Sequence, residues 1–360
     1  MANVLATLLF SINSASAFDV FCQGMLLPLG KQSLPHRKVC ADSHQLDLKE
    51  HNWFRPHVQV SMQSSQTSRR RELGLRELEM DGIQNFRQVS SSLPGIYRSG
   101  ALEQATAADA ANILDGARIR TVIDLRSSAE IEKAQSSSTY FGQALLRAFD
   151  KGSKVGPGRV ASEGSGSLRR VHIPLVRDTE SFFEEVASRI SPLSKAKAAS
   201  LRMFNGKAAA DEVVYTDVSS GRQDILNTAI LRKGADLGPI LRVIADARFK
   251  GAVLFHGSQG KDRTGVVAAL LQYAARDSED RIIDRYATSE RLLQYDDAQD
   301  GETGSTGIDW SAWRGSPPEA MAKTLRWIKS KYMITDRFLR EIGCYVGWED
   351  ELLRHVKLPA

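Results

Sequence analysis

The feature that most constrains this chain is a short apolar run, residues 253–255, followed by a polar, glycine-rich loop, residues 256–265. The loop opens directly into a second apolar segment, residues 266–276. A strand, a tight loop and a helix N-terminus in this order direct several backbone N–H groups and the positive end of the helix dipole at one point. Such a loop binds phosphate without needing a side chain. The sequence therefore predicts an oxyanion-binding loop at the end of a strand.

Side chains of the loop support the same prediction. Lys261 and Arg263 add cationic donors, and an arginine guanidinium binds two phosphate oxygens at once. The residues predicted to bind phosphate are Gly257, Ser258, Gln259, Gly260, Lys261, Asp262 and Arg263.

The chain alternates between strand-like and helical patterns from about residue 80 onward. Residues 119–126 and 171–176 have the apolar runs of buried strands, and residues 106–114, 237–247 and 281–293 have helical spacing. Residues 181–203 contain Pro192, which predicts two short helices, and these are candidates for a lid. The alternation predicts an α/β fold with a central, mostly parallel sheet, flanking helices and the loop at the carboxyl edge.

Residues 1–75 lack the periodicity of a packed core, so we predict a largely disordered leader or linker followed by one domain over residues 76–357. Residues 4–10 are apolar and precede a small-residue pattern that ends between Ala17 and Phe18. This pattern is typical of a cleaved signal, either secretory or for a secondary plastid, but a chance apolar patch explains it equally well. Without a signal, a cytoplasmic location is the default expectation.

Composition excludes several functional classes. The net charge of +5 is small for 360 residues, and no dense basic stripe is interleaved with aromatic residues, so no nucleic acid partner is expected. No apolar run has the length of a membrane-spanning helix. Cys22, Cys40 and Cys344 form neither a disulfide framework nor a metal-ligand spacing, and we predict no metal and no cofactor.

Two known phosphate loops are similar to residues 256–265. The match to the nucleotide-triphosphate loop fails at two positions. Phe255 stands where the first glycine of that loop belongs, and Asp262 where its magnesium-binding hydroxyl belongs. The cysteine-phosphatase loop matches better, with His256 and Arg263 at its spacing. The run from Gly260 to Gly265 resembles a family of atypical tyrosine phosphatases of bacteria and fungi, which act on phosphotyrosine and, in some members, on phosphoinositides.

Three further motifs carry this resemblance over residues 80–350. They are Asn85-Phe86-Arg87 with Tyr97-Arg98-Ser99-Gly100, residues 121–126 with Glu130, and residues 283–289. The resemblance implies a cysteine-phosphatase-like, three-layer fold. It also implies a phosphorylated protein or a phosphoinositide as the partner.

The resemblance assigns roles to individual residues. The nucleophilic cysteine of the family would occupy position 257, where this chain has glycine. Asp262 corresponds to the proposed general acid, with Asp178 as the other candidate, and Arg263 corresponds to the phosphate clamp. Thr264 and His256 would brace the loop from within, and Lys261 would lie at its mouth.

Other polar residues have a structural interpretation. We expect Asp124 and Arg126 to form a buried ion pair at the end of a strand. Arg98 is expected to have a structural role as well. A basic group close to the loop also has the chemistry to contact substrate, so that alternative stays open. Glu130 is expected to pair with an arginine, and Tyr286 to lie in the core.

Three functions follow from these residues. Without the thiolate no phosphocysteine can form, so the first is a protein that binds phosphate esters and is catalytically impaired. The second is an active phosphatase, which requires either a cysteine at position 257 or a route in which water replaces the thiolate. The third is a structural or regulatory partner with a degenerate pocket, which the intact run from Lys261 to Gly265 disfavours.

Overall fold

The computed structural model describes residues 78–151, 168–233, 236–293, 315–332 and 335–354. The predicted leader and the pattern near Ala17 lie outside these residues. The described strands are β1 (Arg87–Gln88), β2 (Ile96–Ser99), β3 (Ile119–Asp124), β4 (Arg169–His172) and β5 (Ala252–His256). They form one sheet in the order β1-β2-β5-β3-β4. β1 pairs with β2 in antiparallel fashion, and every other pairing is parallel.

Helices surround this sheet on both faces. The helices of the described residues are α1 (Ala107–Ala111), α2 (Ser128–Gln135), α3 (Tyr140–Lys151), α4 (Thr179–Ala187), α5 (Pro192–Phe204), α6 (Lys207–Ser219), α7 (Asp224–Lys233), α8 (Leu237–Arg248), α9 (Asp262–Ala274), α10 (Glu279–Leu292), α11 (Pro318–Tyr332), α12 (Thr335–Glu341) and α13 (Trp348–Leu353). A π-helical turn, Asn112–Gly116, continues α1.

The strands alternate their buried side chains between two apolar layers, as a sheet covered on both faces requires. On β5, Val253 and Phe255 belong to the larger apolar cluster, which includes residues of α4 and α6–α9. Ala252 and Leu254 of the same strand belong to a second cluster, which includes residues of α1 and α3. The prediction of an α/β fold with a mostly parallel sheet and flanking helices is confirmed.

Several element boundaries differ from the sequence prediction. β4 covers residues 169–172 rather than 171–176, and its ladder cannot continue through Pro174, which has no N–H to donate. Pro192 lies in the first turn of α5, with Ser191 as its N-cap, so two helices do replace one long one. Helices α2, α3, α6, α7 and α13 were not predicted. The role of α4 and α5 as a lid stays a prediction.

A buried network of charges lies at the carboxyl end of β3. Arg126 donates to Asp124 and to Glu103, and Arg170 donates to Asp124 at 2.7 Å. Burial opposes the ionisation of Asp124, but attraction from His256, Arg126 and Arg170 holds its pKa well below the usual range. The expected ion pair of Asp124 and Arg126 is present, and both side chains are inaccessible to solvent.

We predict that Arg126→Met lowers the free energy of unfolding by about 3–5 kcal/mol, because it leaves two buried carboxylates without their shared cation. Urea denaturation measures this change. Arg276→Met is the matched control, since Arg276 pairs with Asp336 at the surface and its loss is expected to cost about 1 kcal/mol or less. Equal midpoints for the two variants would contradict the prediction.

Candidate functional site

The predicted phosphate-binding residues come together between the end of β5 and the start of α9. Residues 257–264 line one small, open depression. α9 begins at Asp262, and its N-cap residue, Lys261, makes no side-chain capping bond. Strand, loop and helix therefore follow one another as the sequence predicted, and the helix N-terminus is directed at the loop.

Two distant side chains hold the loop backbone in place. The amide of Asn85 donates to the carbonyl oxygens of Gln259 and Gly260, and the guanidinium of Arg98 donates to those of Gly260 and Lys261. Asn85 has a φ of 59°, a conformation that asparagine tolerates better than most residues. Arg98 is 2% exposed, and burial together with Arg285 lowers its pKa to about 9. Arg98 therefore braces the loop.

Gly260 lies at a position that no residue with a Cβ fits. Its φ is 68°, and a Cβ at this position would lie 2.2 Å from the carbonyl oxygen of Ser99. The turn of the loop therefore requires glycine for two reasons, the left-handed conformation and the close approach of β2.

We predict that Gly260→Ala destabilises the protein by at least about 2 kcal/mol, because a backbone clash is added to the cost of the positive φ. The matched control is Gly221→Ala, since Gly221 has a φ of 87° and open space around it. That variant is expected to lose only about 1 kcal/mol. Thermal denaturation of both variants separates the two contributions, and similar losses would argue against the clash.

Arg263 lies in the wall of the depression and is paired there with a buried carboxylate. Its two terminal nitrogens donate to the two carboxylate oxygens of Glu130, at 2.7 and 2.6 Å. The hydroxyl of Ser258 donates to the same carboxylate at 2.7 Å. Glu130 thus orients the guanidinium. The expectation that Glu130 pairs with an arginine is confirmed. That Arg263 also clamps phosphate stays a prediction.

The charge of Glu130 is strongly favoured in this environment. Burial opposes ionisation, but Arg263 and hydrogen bonds from Ser127 and Ser258 outweigh it and lower the pKa of Glu130 to about 2. Glu130 also lies in the first turn of α2, where it forms a capping box with Ser127. The arginine of the loop is therefore anchored to a helix N-terminus.

The sequence predicted Lys261 at the mouth of the loop, but its side chain is buried. Its ammonium group is nearly inaccessible and donates to the carbonyl oxygen of Gly315 at 3.1 Å. This contact is with a residue 54 positions away, which the loop sequence does not indicate. Asp262 is 7% exposed, and one of its carboxylate oxygens has no hydrogen-bond partner in the part of the chain that the structure describes.

Tyr286 lies behind the loop, close to Asp262. It belongs to an apolar cluster with Ile282 and Met321, so its predicted place in the core is confirmed. Burial and the charge of Asp262 raise the pKa of the Tyr286 hydroxyl well above its usual value. The hydroxyl is therefore neutral beside the carboxylate.

The space at position 257 is tight even for a Cβ. A Cβ built on Gly257 would meet the Thr264 hydroxyl oxygen at 3.1 Å and the Gly260 nitrogen at 4.0 Å. The Thr264 hydroxyl is buried and has no hydrogen-bond partner among the described residues. His256, beside this space, is also fully buried, and burial lowers its pKa to about 4 against the attraction of Asp124.

A sequence model described as the tyrosine phosphatase family matches residues 78–354, which is most of the chain. The chain belongs to the tyrosine phosphatase family. No curated protein is significantly similar to it in sequence. Two of the three further motifs that carried the resemblance contact the phosphatase loop, because Asn85 and Arg98 hold its carbonyl oxygens and Glu130 holds Arg263.

Of the two candidate acids of this phosphatase domain, only Asp262 lines the depression. Asp178 is exposed and caps α4, where its carboxylate accepts a hydrogen bond from the Ser181 N–H at 3.0 Å. Its predicted role is therefore less well supported than that of Asp262. Asn85 is the residue of the site whose role the sequence did not predict, although its motif was recognised.

Two classes of site have no counterpart in the described part of the phosphatase domain. In these residues, no group of three or more His, Cys, Asp or Glu side chains is arranged to hold a metal ion. Among the described helices, none is long and apolar enough to cross a membrane. The charged side chains near the loop are instead paired with one another or with backbone carbonyl oxygens.

Proposed function

We propose that this chain binds phosphate monoesters in the loop of residues 257–264 and does not cleave them by the covalent route of its family. The single observation that carries the proposal is glycine at position 257, at the base of an otherwise complete loop. The covalent route needs a thiolate with a lowered pKa, and glycine supplies no attacking atom.

The surroundings of the loop support retained binding. The helix N-terminus and the guanidinium of Arg263 both favour a dianion. A thiolate beneath a phosphate dianion repels it, and Gly257 removes that negative charge. The ester is therefore expected to bind at least as well as it would above a thiolate.

Ser258 does not replace the missing nucleophile in this proposal. Its hydroxyl donates to Glu130 and accepts a long contact from Arg263 at 3.5 Å. Glu130 is held ionised by Arg263, so it is a weak base for activating a hydroxyl. The hydroxyl of Ser258 is thus a structural link between the loop and α2.

The ligand that we propose is a phosphorylated protein or a phosphoinositide, both of which present a phosphate monoester. Calorimetric titration of the full-length protein with a phosphotyrosine peptide and with a soluble inositol phosphate distinguishes the two sources. We predict saturable binding of at least one of them, with no release of inorganic phosphate over hours.

Arg263→Lys is the matched control for this titration, because it keeps the charge and removes the planar fork. We expect it to weaken phosphate binding at least about tenfold. Release of phosphate by the unmodified protein would sink the proposal in favour of an active phosphatase. Absence of binding would favour the degenerate pocket.

A further inference from the structure

Helix α5 leaves one of its faces uncovered. It packs mainly against α6, and none of its residues is buried. Leu193, Met203 and Phe204 of this helix are 82%, 73% and 80% exposed. Among the other large apolar side chains of the described residues, only Tyr140 and Val346 are exposed to a similar extent. Single exposed apolar side chains are ordinary, but three on one helix indicate a contact surface.

The exposed side chains of α5 recur at the spacing of one helix face. Ala196 and Ser200 follow Leu193 by three and seven residues, and Met203 and Phe204 follow it by ten and eleven. These offsets place all five on the same side of a helix. The face is therefore apolar at both ends, and the two ends lie about 15 Å apart along the helix axis.

The charge of this part of the chain has one sign. Residues 186–210 contain five basic side chains and no acidic one. Two of the five, Lys195 and Lys197, are exposed and make no salt bridge within the described residues. Lys197 lies on the uncovered face itself, four residues after Leu193. The surface is thus both apolar and positively charged, which fits a partner that offers anionic groups around an apolar interior.

We propose that this face of α5 docks on an anionic lipid surface. Leu193, Met203 and Phe204 enter the boundary between the headgroups and the acyl chains, and Lys195 and Lys197 contact lipid phosphates. Long lysine side chains reach the headgroups from a helix that lies in the plane of the membrane. The inference goes beyond the proposed function, because it needs no phosphate ester in the loop.

A second copy of this chain fits the same face less well. A twofold contact between two α5 helices sets the middle of one helix against the middle of the other. Lys197 is one residue from the middle of Pro192–Phe204, so two ammonium groups would meet beside apolar side chains. Like charges in such a contact repel each other. An anionic lipid surface instead neutralises them.

Flotation of the full-length protein with vesicles tests the inference. The vesicles are phosphatidylcholine with about one third phosphatidylserine, which is a phosphate diester, so a loop that binds monoesters does not account for the result. We expect binding at least about tenfold stronger than to pure phosphatidylcholine vesicles, and weaker binding as salt screens the charges. Equal binding to both kinds of vesicle, or no binding to either, would overturn the inference.

Replacement of the apolar side chains locates the contact. Met203→Ser combined with Phe204→Ser is expected to lower vesicle binding at least about tenfold, because both side chains leave the acyl boundary. Val346→Ser is the matched control, since Val346 is 83% exposed but lies between α12 and α13. Thermal denaturation is expected to give unchanged midpoints, because all three side chains are mostly exposed. Vesicle binding that the double variant retains in full contradicts the proposal.

Replacement of the lysines tests the electrostatic part. Lys195→Gln combined with Lys197→Gln is expected to lower binding to the phosphatidylserine vesicles at least about tenfold. The matched control is Lys133→Gln combined with Lys331→Gln, which removes the same charge from exposed positions on α2 and α11. An equal loss in both double variants would show that net charge, and not α5, determines binding, and it would overturn the inference.

Two further measurements separate this inference from its alternatives. In sedimentation velocity without vesicles, self-association that Phe204→Ser abolishes would assign the face to a second copy and overturn the inference. Calorimetric titration with inorganic phosphate distinguishes it from the proposed function. Vesicle binding without phosphate binding supports the inference and overturns the proposed function, and phosphate binding without vesicle binding does the reverse.

Discussion

Gly257→Cys is expected to convert this chain into a phosphatase. We predict that its turnover of p-nitrophenyl phosphate exceeds that of the unmodified protein by on the order of 10³-fold or more, since loss of a nucleophile costs enzymes at least this much. The measurement is the steady-state release of p-nitrophenolate by the two full-length proteins. Mass spectrometry after rapid acid quench is expected to find one added phosphoryl group on the variant alone.

The geometry at position 257 favours this result. A Cβ there meets only the Thr264 hydroxyl closely, at 3.1 Å, and that hydroxyl is without a partner. The new thiol therefore gains a hydrogen-bond donor, and the N-terminus of α9 lowers its pKa. The Thr264 hydroxyl must move by a few tenths of an ångström to accept the new Cβ.

Two variants control for effects other than the thiolate. Gly257→Ala adds the Cβ without a reactive group, and Gly257→Ser adds a hydroxyl that lacks the accessible pKa of a thiol. Both are expected to remain inactive while binding phosphate. An inactive Gly257→Cys variant that still binds phosphate would show that the missing thiolate is not what limits this chain.

The local part of the site was predictable from sequence because its determinants are contiguous. An apolar run, closely spaced glycines and an apolar helix follow one another in residues 253–276, and each indicates its own backbone conformation. Gly260 is the clearest case, since its positive φ and its contact with Ser99 make glycine necessary.

The surroundings of the loop were less predictable, because their contacts join residues that are far apart in sequence. Asn85 reaches Gln259 across 174 positions, and Glu130 reaches Arg263 across 133 positions. No period or spacing reports such contacts, so only the family resemblance pointed to these residues. No such signal indicated the burial of Lys261 against Gly315, and the predicted position of Lys261 at the mouth of the loop is wrong.

The missed helices have a similar explanation. In α6 the buried face includes Asp211 and Asp217 beside Val213, Val214 and Val218, so its apolar pattern is interrupted, and β-branched residues lower the helix propensity of the segment. Tertiary packing decides the conformation there. In α8 the stripe of Leu237, Ile240, Leu241 and Ile244 is regular, and the prediction is confirmed.

The pair of Glu130 and Arg263 makes a second prediction with a large effect. The pKa of Glu130 falls from 4.5 to about 2 on folding, so its charge stabilises the folded state above pH 4.5. That stabilisation is on the order of 3 kcal/mol, and it is lost as the pH falls from 4.5 to 2. Stability measured by urea denaturation is therefore expected to decline over this pH window.

Glu130→Gln is expected to remove that part of the decline. It is also expected to lower the free energy of unfolding at pH 7 by about 3 kcal/mol, because the amide NH₂ of glutamine faces a donor of Arg263 and the buried cation loses its counter-charge. The matched control is Glu132→Gln, since Glu132 is exposed on the same helix and has no such partner among the contacts described above.

Phosphate binding gives this prediction a functional readout. Without the carboxylate, the guanidinium of Arg263 is no longer fixed at the wall of the depression, so the affinity for inorganic phosphate is expected to fall at least about tenfold in Glu130→Gln and to be unchanged in Glu132→Gln. If both variants lose stability between pH 4.5 and 2 as the unmodified protein does, the ion pair of Glu130 and Arg263 is not the cause of that decline. If stability falls but phosphate affinity does not, Glu130 serves the fold alone, and the loop positions the ester without an oriented arginine.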